Sequence, residues 1–291
     1  MKSVAFDFRR ARSSAEACAL LAELGGDAKI IAGGQSLVPM MAMRLARPAT
    51  LVDINDATDL QRIEARGGLV AVGGAVRQRV VERDALLAEK VPLLRKALAW
   101  TGHVQTKNRG TIGGSIVHAD PSAEQPLAAV TLDAMLVLRD AGGDTEMPAR
   151  EFFLAPMVTA IAPEQCLAEV RFPDWAEARI GCAVEEVSPR HGDFAIAGAA
   201  AQVALDADGR CVRAALGTSS APIPQAHADI AERLVGTALD DDTIAAAAAA
   251  VRAAVEPDAD LHASAAYRRH LAGVMARRAL MAAREEARAR R

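Results

Sequence analysis

The chain has 291 residues, enough for about two domains with a core apiece. Half of the residues are apolar, the formal net charge is only -3 and aromatic residues make up 3%, so neither a basic field nor a stacking platform is present and nucleic-acid binding is disfavoured. Cys18, Cys166, Cys182 and Cys211 form no CxxC pair and no Cys/His cluster, which leaves no readable zinc or iron–sulfur site and no metal ligand set.

The opening stretch MKSVAFDFRRARSSAE lacks the apolar core of a signal peptide, and no run reaches transmembrane length. The expectation is a cytoplasmic chain with reduced thiols. Ser13 followed by Glu16 reads as a capping box opening a helix, SSAEACALLAEL, that stops at Gly25-Gly26. AKIIAGG reads as a buried strand running into a glycine bend, LVPMMAMRLA as a helix reaching towards Pro48, and TLVDI as a second strand. Residues 60–76 alternate around Gly67-Gly68 and Gly73-Gly74, the grammar of a hairpin or a strand–loop unit.

Helical spacing returns from about Glu82 to Trp100, with Pro92 near a helix start. A loop, GHVQTKNRGTIGGS, follows, then an apolar helix from about Ser122 to Leu132 and two strands joined at Gly142-Gly143. A domain boundary is expected in RFPDWAEARIG, residues 171–181. Beyond it, FAIAGAAAQVALDADGRCVRAALG reads as antiparallel strands turned at Asp208-Gly209. From 225 the pattern is helical, and the alanine tract 245–250 is a strong helix former. The final helix carries Leu271, Val274, Met275 and Leu280 on one side. Intramolecular docking is favoured over membrane binding, because Glu285 and Glu286 interrupt its basic face.

Two stretches share a device: IIAGGQSLVPM at 30–40 and RGTIGGSIVHADPSAEQP at 109–126. Each sets a diglycine beside a small hydroxyl residue. Backbone amides at a strand-to-helix bend can meet a pyrophosphate, and glycine allows the close approach. Ser36, Ser115 and Thr111 add hydroxyl donors. Neither stretch has the Walker lysine, and neither matches G-x-G-x-x-G, so phosphoryl transfer and a Rossmann site are disfavoured.

AGGQSLVPMMAMRLARPATLVDI, NRGTIGGSIVHADPSAEQPLAAV and EVSPRHGDFAIAGAAAQV together resemble the FAD-binding medium subunit of molybdenum hydroxylases. That family includes the carbon monoxide dehydrogenase medium subunit and the FAD domain of xanthine dehydrogenase. The resemblance runs from about Phe6 to the C-terminal YRRHLAGVMARRAL. It implies an α+β fold. Residues 1–176 would be a PCMH-type FAD-binding domain of two α/β subdomains, and residues 177–291 an antiparallel sheet with helices that contributes near the flavin.

The resemblance also implies roles. Ile31, Ala32, Gly33, Gly34, Gln35, Ser36 and Leu37 would wrap the FAD pyrophosphate, and Thr111, Ile112, Gly113, Gly114 and Ser115 would close on it from the other side. Glu124 stands where the family often has a cofactor-contacting Asp, and Phe194 where an aromatic, often Tyr, lies near the isoalloxazine ring. Ala42 replaces a lysine common in the family. Gln35 has no nucleophilic ring nitrogen, so FAD would be held without a covalent histidyl link at this position.

Other residues are weighed on their own chemistry. His103, His118 and His191 lie beside the motifs, yet no paired carboxylate spacing marks a proton relay, and no catalytic residue is assigned. Arg109 and Lys107 are candidates for neutralising phosphate charge. Asp120-Pro121 reads as turn geometry and the Met40, Met41, Met43 cluster as core packing.

The function implied is electron transfer. A large molybdopterin subunit would oxidise substrate and a small [2Fe–2S] subunit would relay electrons to the FAD of this chain for an external acceptor, in a dimer of heterotrimers. The lack of cysteine clusters fits iron–sulfur centres carried on another polypeptide. Substrate choice would lie in the molybdenum subunit, with a lean towards an N-heterocycle or aldehyde. Two alternatives stand beside this reading: a self-sufficient FAD oxidase or reductase of the same fold, and a flavin-free scaffold.

Overall fold

The computed structural model describes residues 2–290. Its first unit is small. Strand β1 (Asp7–Arg10) leads to helix α1 (Ser14–Leu24), β2 (Ala28–Ile31), α2 (Leu37–Ala42) and β3 (Thr50–Asp53). The three strands run parallel in the order β1-β3-β2. Ser13 Oγ accepts from the Glu16 N–H at 3.1 Å and ends the fraying of α1, while the Glu16 carboxylate takes the Arg12 N–H at 2.7 Å, one residue before the usual reciprocal partner. The helix ends where Gly25 turns to φ 71°. Helix α2 is shorter than its spacing predicts. Arg44 at φ 61° ends it, and Leu45 N–H donates back to Met40 C=O at 2.8 Å.

The next unit opens with a hairpin, β4 (Ile63–Arg66) and β5 (Leu69–Gly73), turned by Gly67 and Gly68, both at positive φ as this two-residue turn requires. The single helical run expected over 82–100 is instead three helices starting earlier: α3 (Gln78–Arg83), α4 (Ala85–Lys90) and α5 (Pro92–Trp100). Asp84 adopts extended backbone and caps α4 through Leu87 N–H at 3.0 Å, and Pro92 occupies the first position of α5. Then come α6 (Val104–Arg109), α7 (Ile112–His118), α8 (Glu124–Thr131), β6 (Met135–Asp140), β7 (Gly143–Pro148), α9 (Ala149–Phe152), β8 (Phe153–Ala155), β9 (Val158–Thr159) and β10 (Cys166–Pro173). Strand β10 enters between β5 and β6, antiparallel to both, to give the order β4-β5-β10-β6-β7.

The third unit is a four-stranded antiparallel sheet of β11 (Arg179–Val187), β12 (Ala197–Leu205), β13 (Cys211–Thr218) and the short β14 (Gln225–Ala226), followed by α10 (Ala228–Glu232), α11 (Asp241–Ala254) and α12 (Ala265–Ala289). The segment 171–181 read as a boundary contains the end of β10 and the start of β11, so the irregular connection is only 174–178. Helix α12 lies on the outer face of β11 and β12. Met275, Ala276, Leu280 and Ala283 pack there against Ala183, Ala199, Ala201 and Val203, and Val274 sits at the margin. Gly181 is small because the Ala283 carbonyl and Ala287 amide lie where its Cβ would be. Burying Leu280 alone contributes about 2 kcal/mol, so the helix docks on its own chain as expected. Glu286 completes the fit, pairing with Lys96 at 2.6 Å and accepting the Cys182 N–H at 2.8 Å.

The inner face of that sheet looks the other way. Cys182, Val184 and Ala200 join a core built from α5, α7, α8 and the five-stranded sheet, and Trp100 Nε1–H donates to Val184 C=O at 2.9 Å. The cysteines are all free and buried, with Cys18 and Cys166 sulfurs 3.6 Å apart.

Candidate functional site

The C-terminal ends of β2 and β3 open into a cleft of about 470 Å³. Ligands of parallel sheets gather at this end of the strands. The cleft is lined by Phe8, the run Ile31 to Gln35, Val38, Pro39, Asp53, Asn55 and Arg109. Gly34 sits at φ 70°, a conformation that only glycine takes without strain, and it bends the chain out of β2. Among the described residues, no acceptor meets the N–H groups of Gly33, Gly34, Gln35 and Ser36. Four consecutive free donors at a strand-to-helix bend make an anion cradle. Ser36 and Leu37 begin α2 just beyond the cleft lining.

The second motif is built differently. Thr111 to Ser115 form no open loop: Thr111 caps α7, and Ile112, Gly113, Gly114 and Ser115 are its first turn. All four amides are already used. Ile112 donates to Val76 C=O at 3.0 Å, Gly113 to Gly74 C=O at 3.0 Å, Gly114 to Thr111 Oγ1 at 3.0 Å and Ser115 to Thr111 C=O at 3.2 Å. The amides of the first bend are thus free, and those of the second hold α7 in place. Gly113 is needed for packing, since a Cβ there would lie 2.7 Å from Gly74 Cα. Gly114 is exposed, and an added Cβ would meet only Thr111 Oγ1, at 2.8 Å. What this motif presents outward is the bare face of Gly114 and the Ser115 hydroxyl.

The two motifs do meet. A Cβ on Gly33 would lie 2.7 Å from Gly110 Cα and closer still to the Arg109 carbonyl, so the first bend rests on the peptide that leads into α7. Arg77 fixes that peptide: one guanidinium nitrogen donates to Arg109 C=O and the other to Asn55 Oδ1 at 2.6 Å. Burial, then the charge of Arg109, holds the Arg77 pKa below its usual value. Asp53, at the end of β3, accepts the Asn55 N–H at 2.9 Å and has Arg10 Nε at 3.6 Å. Arg109 itself lines the cleft, with its main-chain carbonyl against Gly33. Lys107 does not. It is buried, paired with Glu82 at 2.5 Å and bonded to Leu98 C=O at 3.0 Å, which removes it as a phosphate partner.

Glu124 and Phe194 lie outside the cleft lining. Glu124 opens α8, is buried, and accepts the Thr101 hydroxyl at 2.7 Å; desolvation pushes its carboxyl pKa up. Phe194 is 77% exposed, on the loop where Gly192 approaches Gly102 and His103 and where the His191 ring lies tilted against Trp100, 5.3 Å between centroids. Asp120 makes the turn predicted for it, accepting the Ser122 N–H at 2.8 Å. Of the methionine cluster, Met41 is buried in the core and Met43 is half exposed.

Asp53, Asn55, Arg77 and Phe8 were not singled out by sequence. A polar pair directly after a buried parallel strand could have marked the first two; Arg77 and Phe8 carry no local signal. Glu186 is also new. It is buried, its Oε1 has no partner among the described residues, and burial followed by the Glu124 charge raises its pKa to about 8. A relation between residues 62 positions apart was invisible as spacing.

Among the described residues, no helix is long and apolar enough to cross a membrane, and no group of three His, Cys, Asp or Glu side chains could hold a metal. Residues 4–175 match the family described as FAD binding domain in molybdopterin dehydrogenase, and residues 183–283 match the CO dehydrogenase flavoprotein C-terminal domain. The chain is 40% identical to the 6-hydroxypseudooxynicotine dehydrogenase complex subunit alpha of Paenarthrobacter nicotinovorans, over 99% of this chain and 97% of that one. It is 37% identical to the carbon monoxide dehydrogenase medium chain of Hydrogenophaga pseudoflava, over 96% of each. The fold superposes on a chain of reconstituted CO dehydrogenase from Oligotropha carboxidovorans with a TM-score of 0.94, at 36% identity over 98% of this chain and 100% of that one.

Proposed function

Since this chain belongs to the family of FAD-binding medium subunits of molybdenum hydroxylases, an oxidoreductase family, we propose that it binds FAD non-covalently in the cleft below β2 and β3 and serves as the electron outlet of a multi-subunit dehydrogenase. The observation that carries the reading is the row of unmet amides from Gly33 to Ser36 beside Arg109, a fit to a pyrophosphate that the packed α7 lacks. FAD, when bound, accepts electrons one at a time and releases them in pairs.

The chain's own residues orient and enclose it. In this reading Ile31, Ala32, Gly33, Gly34, Gln35, Ser36 and Leu37 wrap the pyrophosphate. Thr111, Ile112 and Gly113 fix α7, while Gly114 and Ser115 face the cofactor from the other side. Glu124 reaches it from the start of α8, and Phe194 covers the ring from the second domain. The domains meet at 176/177. Electrons come from a small [2Fe–2S] subunit, which is supplied by a large molybdopterin subunit in a cytoplasmic dimer of heterotrimers, and leave to an external acceptor.

The test is co-purification of the native complex. One FAD per chain, with molybdenum and iron on co-eluting partners, is the expected result. A chain that turns over substrate alone overturns the relay role, and a chain that stays colourless with added FAD overturns cofactor binding.

A further inference from the structure

The three parallel strands of the first unit end level with one another. Their register puts Arg10 of β1, Asp53 of β3 and Ile31 of β2 in one row at the C-terminal ends of the strands. Phe8 lies two residues before Arg10, on the same side of β1. Its ring lines the cleft, is half exposed, and has the Arg10 guanidinium over it, 6.0 Å from the centroid. Among the described residues it is the one aromatic side chain in that lining, and Ile31, Val38 and Pro39 supply apolar wall around it. A half-exposed ring in an apolar wall suits a planar heteroaromatic ligand, which stacks on it whatever its hydrogen-bonding edge.

Asp53 supplies the polar counterpart. It is only 6% exposed, yet it lines the same cavity. Its Oδ1 accepts the Asn55 N–H at 2.9 Å and the Asn55 side-chain amide at 2.5 Å. Its Oδ2 receives no hydrogen bond among the described residues, with Arg10 Nε standing off at 3.6 Å. A carboxylate oxygen held in this way is ready to accept from a ligand hydroxyl. Asp53 also stands twenty residues after Gly33, at the end of the strand that pairs parallel with β2. In strand–helix–strand units that bind dinucleotides, a carboxylate about that far on accepts the ribose 2′-hydroxyl while the first bend holds the pyrophosphate. The glycine spacing differs here, but the bend and the acid are placed alike.

We propose that Phe8 and Asp53 form an adenosine subsite in the cleft: the purine stacks on the Phe8 ring, and the ribose hydroxyls donate to Asp53 Oδ2. The inference rests on the reading that FAD occupies this cleft, and it fixes which way the cofactor lies. A pyrophosphate at the amides of Gly33 to Ser36 divides FAD into two halves. Glu124 and Phe194, read above as flavin neighbours, lie outside the cleft lining and leave it to the adenosine half. The Asp53 carboxylate repels a phosphate on the ribose 2′-oxygen, so the subsite takes an unphosphorylated ribose. ADP, which carries the purine, the ribose and the diphosphate without the flavin, is then a ligand of this chain in its own right.

The experiment is titration calorimetry of the FAD-free full chain with FAD, ADP and 2′,3′-dideoxy-ADP, and with FAD again in the presence of ADP. ADP should bind the wild type and compete with FAD. The dideoxy analogue should bind about tenfold more weakly or worse, because the carboxylate then loses its donors. Phe8→Ala should weaken ADP and FAD by the same factor, about tenfold. In Asp53→Ala the two nucleotides should bind alike. A wild type that binds FAD but not ADP at millimolar concentration overturns the subsite, and so does equal binding of ADP and its dideoxy analogue. A loss confined to FAD in Phe8→Ala, with ADP unchanged, puts the ring under the flavin and overturns it too. The wild-type titrations decide the matter even where a variant fails to fold. A chain that binds ADP with this dependence on the ribose hydroxyls and does not bind FAD overturns the proposed function and leaves the adenosine subsite standing.

Discussion

Gly33 rests on the main-chain carbonyl of Arg109, with so little space that a Cβ would lie 2.7 Å from Gly110 Cα. The first bend is therefore seated on the peptide that enters α7. Gly33→Ala must push these backbones apart, which costs about 1–3 kcal/mol of overpacking. FAD affinity should fall at least tenfold in a fluorescence titration, and the urea midpoint should drop with it.

Gly114 separates the two effects. Its added Cβ meets only the capping hydroxyl of Thr111, so the stability loss is that of a weakened cap, about 1 kcal/mol. Gly114→Val should fold and lose FAD. A variant that keeps stoichiometric FAD after gel filtration removes Gly114 from the cofactor's surroundings.

Arg77 spans both sides of the cleft through Asn55 and the Arg109 carbonyl. Arg77→Lys keeps the charge but not the two-pronged geometry. The expectation is a rise in the FAD dissociation constant of about tenfold or more for Lys, close to that of Ala, since each charge-assisted bond contributes about 1.5–3 kcal/mol. Full rescue by lysine would show that charge alone matters there.

Glu186 makes stability depend on pH. Its folded pKa of about 8 lies above its ordinary 4.5, so the folded chain binds the extra proton. Stability is highest below pH 4.5 as far as this group is concerned, falls as pH rises towards 8, and levels off above. The loss is at most about 5 kcal/mol over that window. Denaturant melts of Glu186→Gln between pH 5 and 9 should show a flatter profile than the wild type.

All four cysteines are buried. A thiol reagent should label none of them in the native chain at a rate faster than unfolding, and all four after addition of denaturant.

Periodicity found the elements that carry a clean apolar signal: α1, β2, β3, the β4–β5 and β6–β7 hairpins and α12. It missed β1, whose four side chains are all exposed, and β11, where Gly181 yields to the backbone of α12. It merged α3, α4 and α5, because Asp84 caps a new helix without interrupting the apolar spacing. The diglycines were legible as a pair, but composition could not distinguish amides left free at Gly33–Ser36 from amides consumed at Ile112–Ser115. That difference depends on Val76 and Gly74, over thirty residues away. The same holds for Lys107, whose burial depends on Glu82.

Gly74 accepts the Gly113 N–H on its carbonyl at 3.0 Å and gives its own N–H to the Ala168 carbonyl of β10 at 2.9 Å. One residue thus locks the central strand and seats the helix of the second motif. Folding has to bring together segments nearly a hundred residues apart at that point, a slow search by loop-closure entropy. A kinetic intermediate with both hairpins formed and β10 undocked would lack a seated α7, so the competence to capture flavin should arrive in the same phase as strand insertion.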